Sequence, residues 1–145
     1  MEEKGLDRVV YPWHHDGHGL NDLMQVYSDM PDDAAGGGAA HRYRVAIDIT
    51  GTSSAYESGC TGKADQTVAE IQFQHGPRHL DASTPGCTEA VILAVLIDRY
   101  RCFQKGPFAC PENAETLEHI EAALAAQRRR ADERAARGVL GRLEK

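Results

Sequence analysis

The sequence lacks the features that mark membrane-spanning and secreted proteins. Its most apolar run is Val91–Ile97, which is far shorter than the ~20 residues that a membrane-spanning helix needs. Its first residues, Met1–Lys4, are acidic and lack the apolar run of a secretory signal. We therefore expect a protein of the cytoplasm that has no membrane partner.

Motifs for zinc binding, phosphate-binding loops and nucleophilic catalysis are also absent from the sequence. There is no Gly-x-x-x-x-Gly-Lys loop and no Gly-x-Ser-x-Gly turn. The His-rich segment Trp13–His18 could hold a metal, but a polar surface segment is the favoured interpretation. We therefore expect no enzyme activity, no metal and no cofactor. The four cysteines are Cys60, Cys87, Cys102 and Cys110. No two of them form a Cys-x-x-Cys pair, and we expect all four to be reduced.

Charge is unevenly divided along the chain. Residues 1–98 contain 15 acidic and 6 basic residues, a net charge of −9, whereas residues 99–145 contain 7 acidic and 10 basic residues, a net charge of +3. The acidic part argues against binding long nucleic acid with the whole surface. The basic part allows a small anionic ligand to be held by arginines, and a solvated arginine-rich helix is the alternative.

Hydrophobic periodicity predicts an α+β fold, in which a small antiparallel sheet precedes a core helix and a long C-terminal helix. Residues 1–40 are predicted to form an extended or mobile N-terminal arm with a short strand at 25–27. The predicted sheet spans residues 41–81. Apolar and polar residues alternate over its strands, which are predicted at 43–50, at 67–74 and around 78–81.

From Thr88 onwards the pattern becomes helical. Thr88 is the predicted N-cap of a first helix. Because Val91–Ile97 is apolar all round, we expect this helix to be buried against the sheet on one side and against other helices on the other. A second helix is predicted at 111–137, with Gly138 as its terminator.

The two helices form a predicted hairpin, residues 88–137, which completes a single α+β domain over 41–145. A helix over 111–137 would be about 40 Å long, at 1.5 Å per residue. A 145-residue globule is barely that wide. The length of the helix, together with an apolar stripe through Leu117, Ile120 and Leu124, predicts a homo-oligomer with paired second helices.

The second helix carries a pair of arginines suited to phosphate binding. Arg130 and Arg134 are four residues apart and share one helix face, with Arg137 one turn further along. Phe103 offers a ring for base stacking, and Asn113 offers an amide. Asn113 and Arg130 are about 25 Å apart along one helix, so a nucleotide site would have to combine two antiparallel subunits.

Several motifs follow one another in a fixed order along the second half of the chain. They are Ile71–Pro77, Thr88–Ala90, Ile97–Tyr100, Phe103–Cys110, Glu112–Ala114 and Arg130–Gly141. In these motifs the sequence resembles the phage Thoeris anti-defence proteins, which are sponges for cyclic ADP-ribose isomers. Its C-terminal half also resembles the helical-hairpin domain that these proteins share with the anti-CBASS cyclic-nucleotide sponges.

The resemblance implies a non-enzymatic protein that binds an immune second messenger between subunits of a homodimer, with a hexamer as the larger alternative. It assigns base stacking to Phe103, polar contacts to Asn113, and phosphate contacts to Arg130 and Arg134. The loop from Gln74 to Arg78 is expected to close over the ligand. A second site, for cyclic oligonucleotides, would lie near Arg137, Gly138 and Gly141.

The leading hypothesis is thus that the protein sequesters a cyclic ADP-ribose isomer in the cytoplasm of the infected bacterium and so blocks Thoeris defence. A sponge for CBASS cyclic di- or trinucleotides and a structural phage protein are the alternatives. An enzyme that cleaves the messenger is a further hypothesis from another class.

Overall fold

The computed structural model describes residues 5–19, 21–31, 38–48, 65–76 and 80–140. The chain divides into two compact units, Met1–Gln72 and Phe73–Lys145. Residues 49–64, between the predicted strands at 43–50 and 67–74, lie outside the described residues. So do residues 78 and 79 of the predicted strand around 78–81, whose other two residues, Leu80 and Asp81, are not in a strand.

The first unit contains a four-stranded antiparallel sheet whose strands follow one another in chain order. The sheet and the two helices that follow it confirm the predicted α+β class. The strands are β1 (Arg8–Val9), β2 (Met24–Ser28), β3 (Arg42–Asp48) and β4 (Asp65–Gln72).

The sheet extends beyond its predicted span of residues 41–81. The short strand predicted at 25–27 lies inside β2, and β1 pairs with β2 so that Arg8 faces Ser28. The Arg8 side chain strengthens this pairing, because its Nε donates to the Ser28 hydroxyl at 2.8 Å. The segment predicted as an N-terminal arm thus contributes two of the four strands.

A small core forms where β2 and β3 pair. Gln25 faces Ala46 and Tyr27 faces Arg44, and the side chains of Gln25, Tyr27 and Ala46 are buried. The buried Gln25 amide donates to the carbonyl of Val26 at 3.0 Å, which meets the requirement of a buried polar group for a partner. The Arg44 guanidinium covers the Tyr27 ring, with its Cζ 4.5 Å from the ring centroid.

The second unit contains α1 (Glu89–Gln104) and α2 (Pro111–Ala136). Thr88 is the N-cap residue of α1, as predicted. Pro111 begins α2, where its missing N–H costs no hydrogen bond. Neither helix contains an apolar stretch of the length needed to cross a membrane.

Gly138 ends α2, as predicted from the sequence. Its φ of 72° lies in the left-handed region, its N–H donates to the Ala135 carbonyl, and the N–H of Val139 donates to the Arg134 carbonyl. These two bonds form a Schellman motif, which satisfies carbonyls that the last turn would leave unpaired. Glycine suits this position because it alone adopts such a φ without a steric penalty.

The two helices pack against each other as a hairpin, but α1 is not buried on all sides. Ile97 is its one buried residue, whereas the side chains of Val91 and Val95 are 52% and 55% exposed. For the single chain, the prediction that α1 is covered on both sides is therefore wrong. The prediction rested on the even spread of apolar residues around α1. In the structure, however, α2 covers only the face of α1 that contains Ile97.

Candidate functional site

The end of the hairpin at which α1 turns into α2 carries a cluster of aromatic side chains. Phe103, in the last turn of α1, is half-buried, and its ring meets those of Tyr100 and Phe108 nearly edge to face, with centroids 5.7 and 6.3 Å away. The Arg99 guanidinium lies over the same ring, with its Cζ 5.3 Å from the centroid. The cluster combines flat apolar surface with a positive charge.

Asn113 lies at the same end of the hairpin, in the first turn of α2. Its Nδ2 donates to the carbonyl oxygen of Phe108 at 2.9 Å, and its backbone N–H donates to the Sγ of Cys110, the N-cap residue, at 3.4 Å. The Gln104 side chain accepts from the Cys110 N–H at 3.2 Å. The structure thus brings Asn113 and Phe103 to one place, where Phe108 joins them.

Arg130 and Arg134 lie near the other end of α2, one turn apart on one edge of the helix. Arg130 is exposed, and within the part of the chain that the structure describes its side chain makes no hydrogen bond or ion pair. Arg134 is half-buried, and its Nη2 donates to the Val139 carbonyl oxygen at 3.0 Å. Arg134 therefore also stabilises the end of the helix.

The aromatic cluster and the arginine pair are far apart within one chain. Because α2 runs unbroken from residue 111 to residue 136, Asn113 and Arg130 are separated by about 25 Å along its axis. One subunit therefore cannot bring both groups of side chains to one small molecule. A site that combines two subunits remains a prediction.

The loop that begins at Gln74 is tied back on itself. The Gln74 amide donates to the Gly76 carbonyl oxygen at 2.9 Å and accepts from the Gly86 N–H at 3.1 Å. His75 exchanges two backbone hydrogen bonds with Thr84. Gln74 thus braces the loop, while Arg78, the second residue predicted here, lies outside the described residues.

The predicted second site falls on the C-terminal end of α2. Arg137 is the C-cap residue and forms an ion pair with Glu133. Gly138 is required by the helix end itself, as its positive φ shows. Gly141 lies outside the described residues. Arg137 and Gly138 thus also form the end of the helix, and a second site there stays a prediction.

A groove of about 480 Å³ lies between the two helices and was not predicted from the sequence. Its lining combines apolar side chains with charges of both signs. One of the lining cations, Arg101, is already paired, with its Nη2 2.7 Å from the Glu121 carboxylate. The lining residues are Ala94, Ile97, Asp98, Arg101, Glu121, Leu124, Ala125 and Arg128.

The His-rich N-terminal segment forms a tied surface loop. The imidazoles of His14 and His15 both hydrogen-bond to the Met24 carbonyl oxygen, at 2.8 and 3.1 Å. Hydrogen bonds from the N–H groups of Gly19 and Gly17 to the Asp22 carboxylate lower its pKa below the ordinary value of 3.8. No group of three or more metal-ligating side chains occurs among the described residues.

Sequence reasoning missed two members of the aromatic cluster, Phe108 and Arg99. Phe108 is 70% exposed and directly follows Gly106-Pro107 at the turn of the hairpin, which in the sequence is the one sign that its ring lies close to Phe103. Arg99 lies four residues before Phe103 on α1, which places the two side chains on the same face.

Comparison with known proteins agrees with the motifs noted in the sequence. No family model matches the chain. Over 78 residues the chain is 36% identical to Thoeris anti-defense 1 of Bacillus phage SBSphiJ7, and this stretch makes up 54% of each protein. The chain thus spans about half the length of the curated relative that it matches. The resemblance of this chain to the phage Thoeris anti-defence proteins is thereby confirmed.

Proposed function

We propose that the protein counters Thoeris anti-phage defence by binding a cyclic ADP-ribose isomer and holding it without converting it. The similarity to a protein named for Thoeris anti-defence supports the biological role. The observation that carries the ligand assignment is the presence of an aromatic cluster at the turn of the hairpin, next to Asn113 in the first turn of α2, and of an arginine pair near the far end of α2.

The chemistry of the two half-sites matches the two parts of such a ligand. The half-buried ring of Phe103 offers a stacking surface for the base. Arg130 and Arg134 offer two guanidinium forks to the pyrophosphate, which is the geometry in which arginine binds phosphate best. Tight retention without turnover requires only these contacts, and no nucleophile or general base is part of the proposal.

The ligand would lie between two antiparallel subunits. In this arrangement, Phe103 and Asn113 of one subunit face Arg130 and Arg134 of the partner subunit. A two-fold axis then creates two equivalent sites per dimer. The homodimer is the minimal assembly in this proposal, and a hexamer of three dimers is the larger alternative. The place of action is the cytoplasm of the infected bacterium.

The proposal is tested by incubating cyclic ADP-ribose isomers with the protein, removing the free nucleotide, and heating the protein to release what it holds. Recovery of the intact nucleotide after heating supports a sponge. Recovery of cleaved products would show that the protein is an enzyme. If the free nucleotide is never depleted, the protein does not bind it, and a structural role is favoured instead.

Competition with cyclic di- and trinucleotides identifies the class of ligand. We expect cyclic ADP-ribose isomers to be retained when these oligonucleotides are present in equal amounts. Displacement of the isomer by a cyclic di- or trinucleotide at equal concentration would instead favour the CBASS sponge. The Arg130→Ala variant serves as a control for non-specific retention, because Arg130 has no structural partner in the described part of the chain.

A further inference from the structure

We propose that Phe108 is a further binding residue, which contacts the base of the ligand, and that Asn113 acts as a positioning residue by holding Phe108 in place. This inference rests on the proposed function and concerns the same site. It assigns a direct contact to a residue outside the predicted site, and an indirect role to Asn113, which was predicted to touch the ligand.

Phe108 is held in an exposed position by several hydrogen bonds around it. Its carbonyl oxygen accepts from the Asn113 Nδ2 at 2.9 Å. On its two sides, the Ala109 N–H donates to the Gly106 carbonyl, and the Cys110 N–H donates to the Gln104 side chain. Its side chain is nevertheless 70% exposed, although it is among the most apolar in the chain. A large ring presented to solvent by a tied loop is preorganised for a contact outside the chain.

The surroundings of Phe108 indicate what that contact is. The rings of Phe108 and Phe103 meet at 73°, with centroids 6.3 Å apart, and so form a corner with two apolar walls. The Arg99 guanidinium adds a positive charge 5.3 Å from the Phe103 ring centroid. A flat ring joined to a negatively charged group satisfies both features, because the ring fits the corner and the anion attracts the guanidinium. A nucleotide base with its phosphate has this composition.

The hydrogen bonds of Asn113 explain its indirect role. Its side-chain N–H is directed at the Phe108 carbonyl, and its backbone N–H is bonded to the N-cap residue Cys110. Removing the amide would release the loop at the residue whose ring forms one wall of the corner. Asn113 therefore affects binding through the position of Phe108.

The test measures the Kd of the full-length protein for cyclic ADP-ribose by titration calorimetry, together with the melting temperature of each variant. We expect Phe108→Ala to weaken binding by about 5- to 150-fold, the range found when an aromatic residue is removed from under a base. The melting temperature should not change, because the ring is mostly exposed. Trp13→Ala is the matched control: Trp13 is 84% exposed and lies in the other unit, so its variant should bind as the wild type does.

A double-mutant cycle separates a positioning role for Asn113 from a direct contact. Asn113→Ala should weaken binding in the wild-type background, but should change Kd by less than about 2-fold when Phe108 is already alanine. Independent, additive losses would overturn the positioning role of Asn113.

The outcomes also distinguish this inference from the proposed function. If the wild type binds cyclic ADP-ribose and Phe108→Ala binds equally well, the inference is overturned while the proposed function stands. A Phe108→Ala variant that loses binding and melts much earlier would make Phe108 a folding residue, which also overturns the inference. A wild-type protein that binds no cyclic ADP-ribose overturns both.

Discussion

A site shared between subunits can be tested by building dimers that contain one altered residue in each subunit. One subunit carries Asn113→Ala and the other carries Arg130→Ala. Their separation of about 25 Å along α2 means that no single chain can bring Arg130 to a small ligand at the end of the hairpin where Asn113 holds Phe108. In a mixed dimer, one site then contains both alterations and the other contains neither.

The expected size of the effect follows from the type of contact. A hydrogen bond from a charged donor is worth about 1.5–3 kcal/mol. Loss of the Arg130 contact should therefore weaken binding by about 10- to 150-fold, since each 1.4 kcal/mol is a factor of ten in Kd. Arg130 is exposed and, in the described part of the chain, has no partner, so its removal should leave the free energy of unfolding unchanged.

The assay uses two differently tagged subunits that are expressed together and purified through both tags, so that every dimer contains one of each. Calorimetry should then find wild-type affinity at about half of the sites, because the two-fold axis leaves one of two sites intact. Each single variant, purified as a homodimer, should have no wild-type sites. Mixed dimers that bind no better than either homodimer would refute the shared site, as would light scattering that shows a monomer of 15.8 kDa.

Three further predictions concern the helix end and the N-terminal loop. Gly138→Ala should lower the free energy of unfolding by about 1 kcal/mol in thermal melts, because its φ is 72°; Gly106→Ala, where an added Cβ meets only ordinary contacts, should change it little. Arg134→Ala should cost about 1 kcal/mol of stability in addition to binding, because its bond to a carbonyl beyond α2 is lost, whereas the exposed Arg129→Ala should cost neither. The lowered pKa of Asp22 means that its stabilising effect is present above pH 4 and is lost as the pH falls through the folded-state pKa. Denaturant titrations at pH 7 and pH 3 should therefore show a smaller pH effect in Asp22→Asn than in the wild type, and an equal effect in both would contradict this.

The sequence determined the helices of this protein almost to the residue, because their ends are fixed by local chemistry. Pro111 suits only the first turn of a helix, and Gly138 suits the left-handed position that follows the last turn. The strands at β3 and β4 were predicted from their alternating residues for a similar reason, since period-2 alternation is a local property. The separation of Asn113 from Arg130 followed directly from the length of α2.

The N-terminal strands show where local patterns fail. β1 has only two residues, Arg8 and Val9, and it forms because β2 offers a partner edge and Ser28 accepts a hydrogen bond from Arg8. No periodicity exists in two residues. The prediction that α1 is buried on both sides failed for a related reason. The element that packs against a helix decides which of its apolar side chains are covered, and α2 covers only one face of α1.

The candidate site divides in the same way. The sequence supplied the residue types, because ring stacking requires an aromatic residue such as Phe103 and phosphate binding favours paired arginines such as Arg130 and Arg134. The tertiary structure decided which side chains are already engaged: Arg134 with the end of its own helix, and Asn113 with the Phe108 carbonyl. These hydrogen bonds depend on how the chain turns after α1 and after α2. The spacing of residues in the sequence does not determine which atoms such a turn brings together.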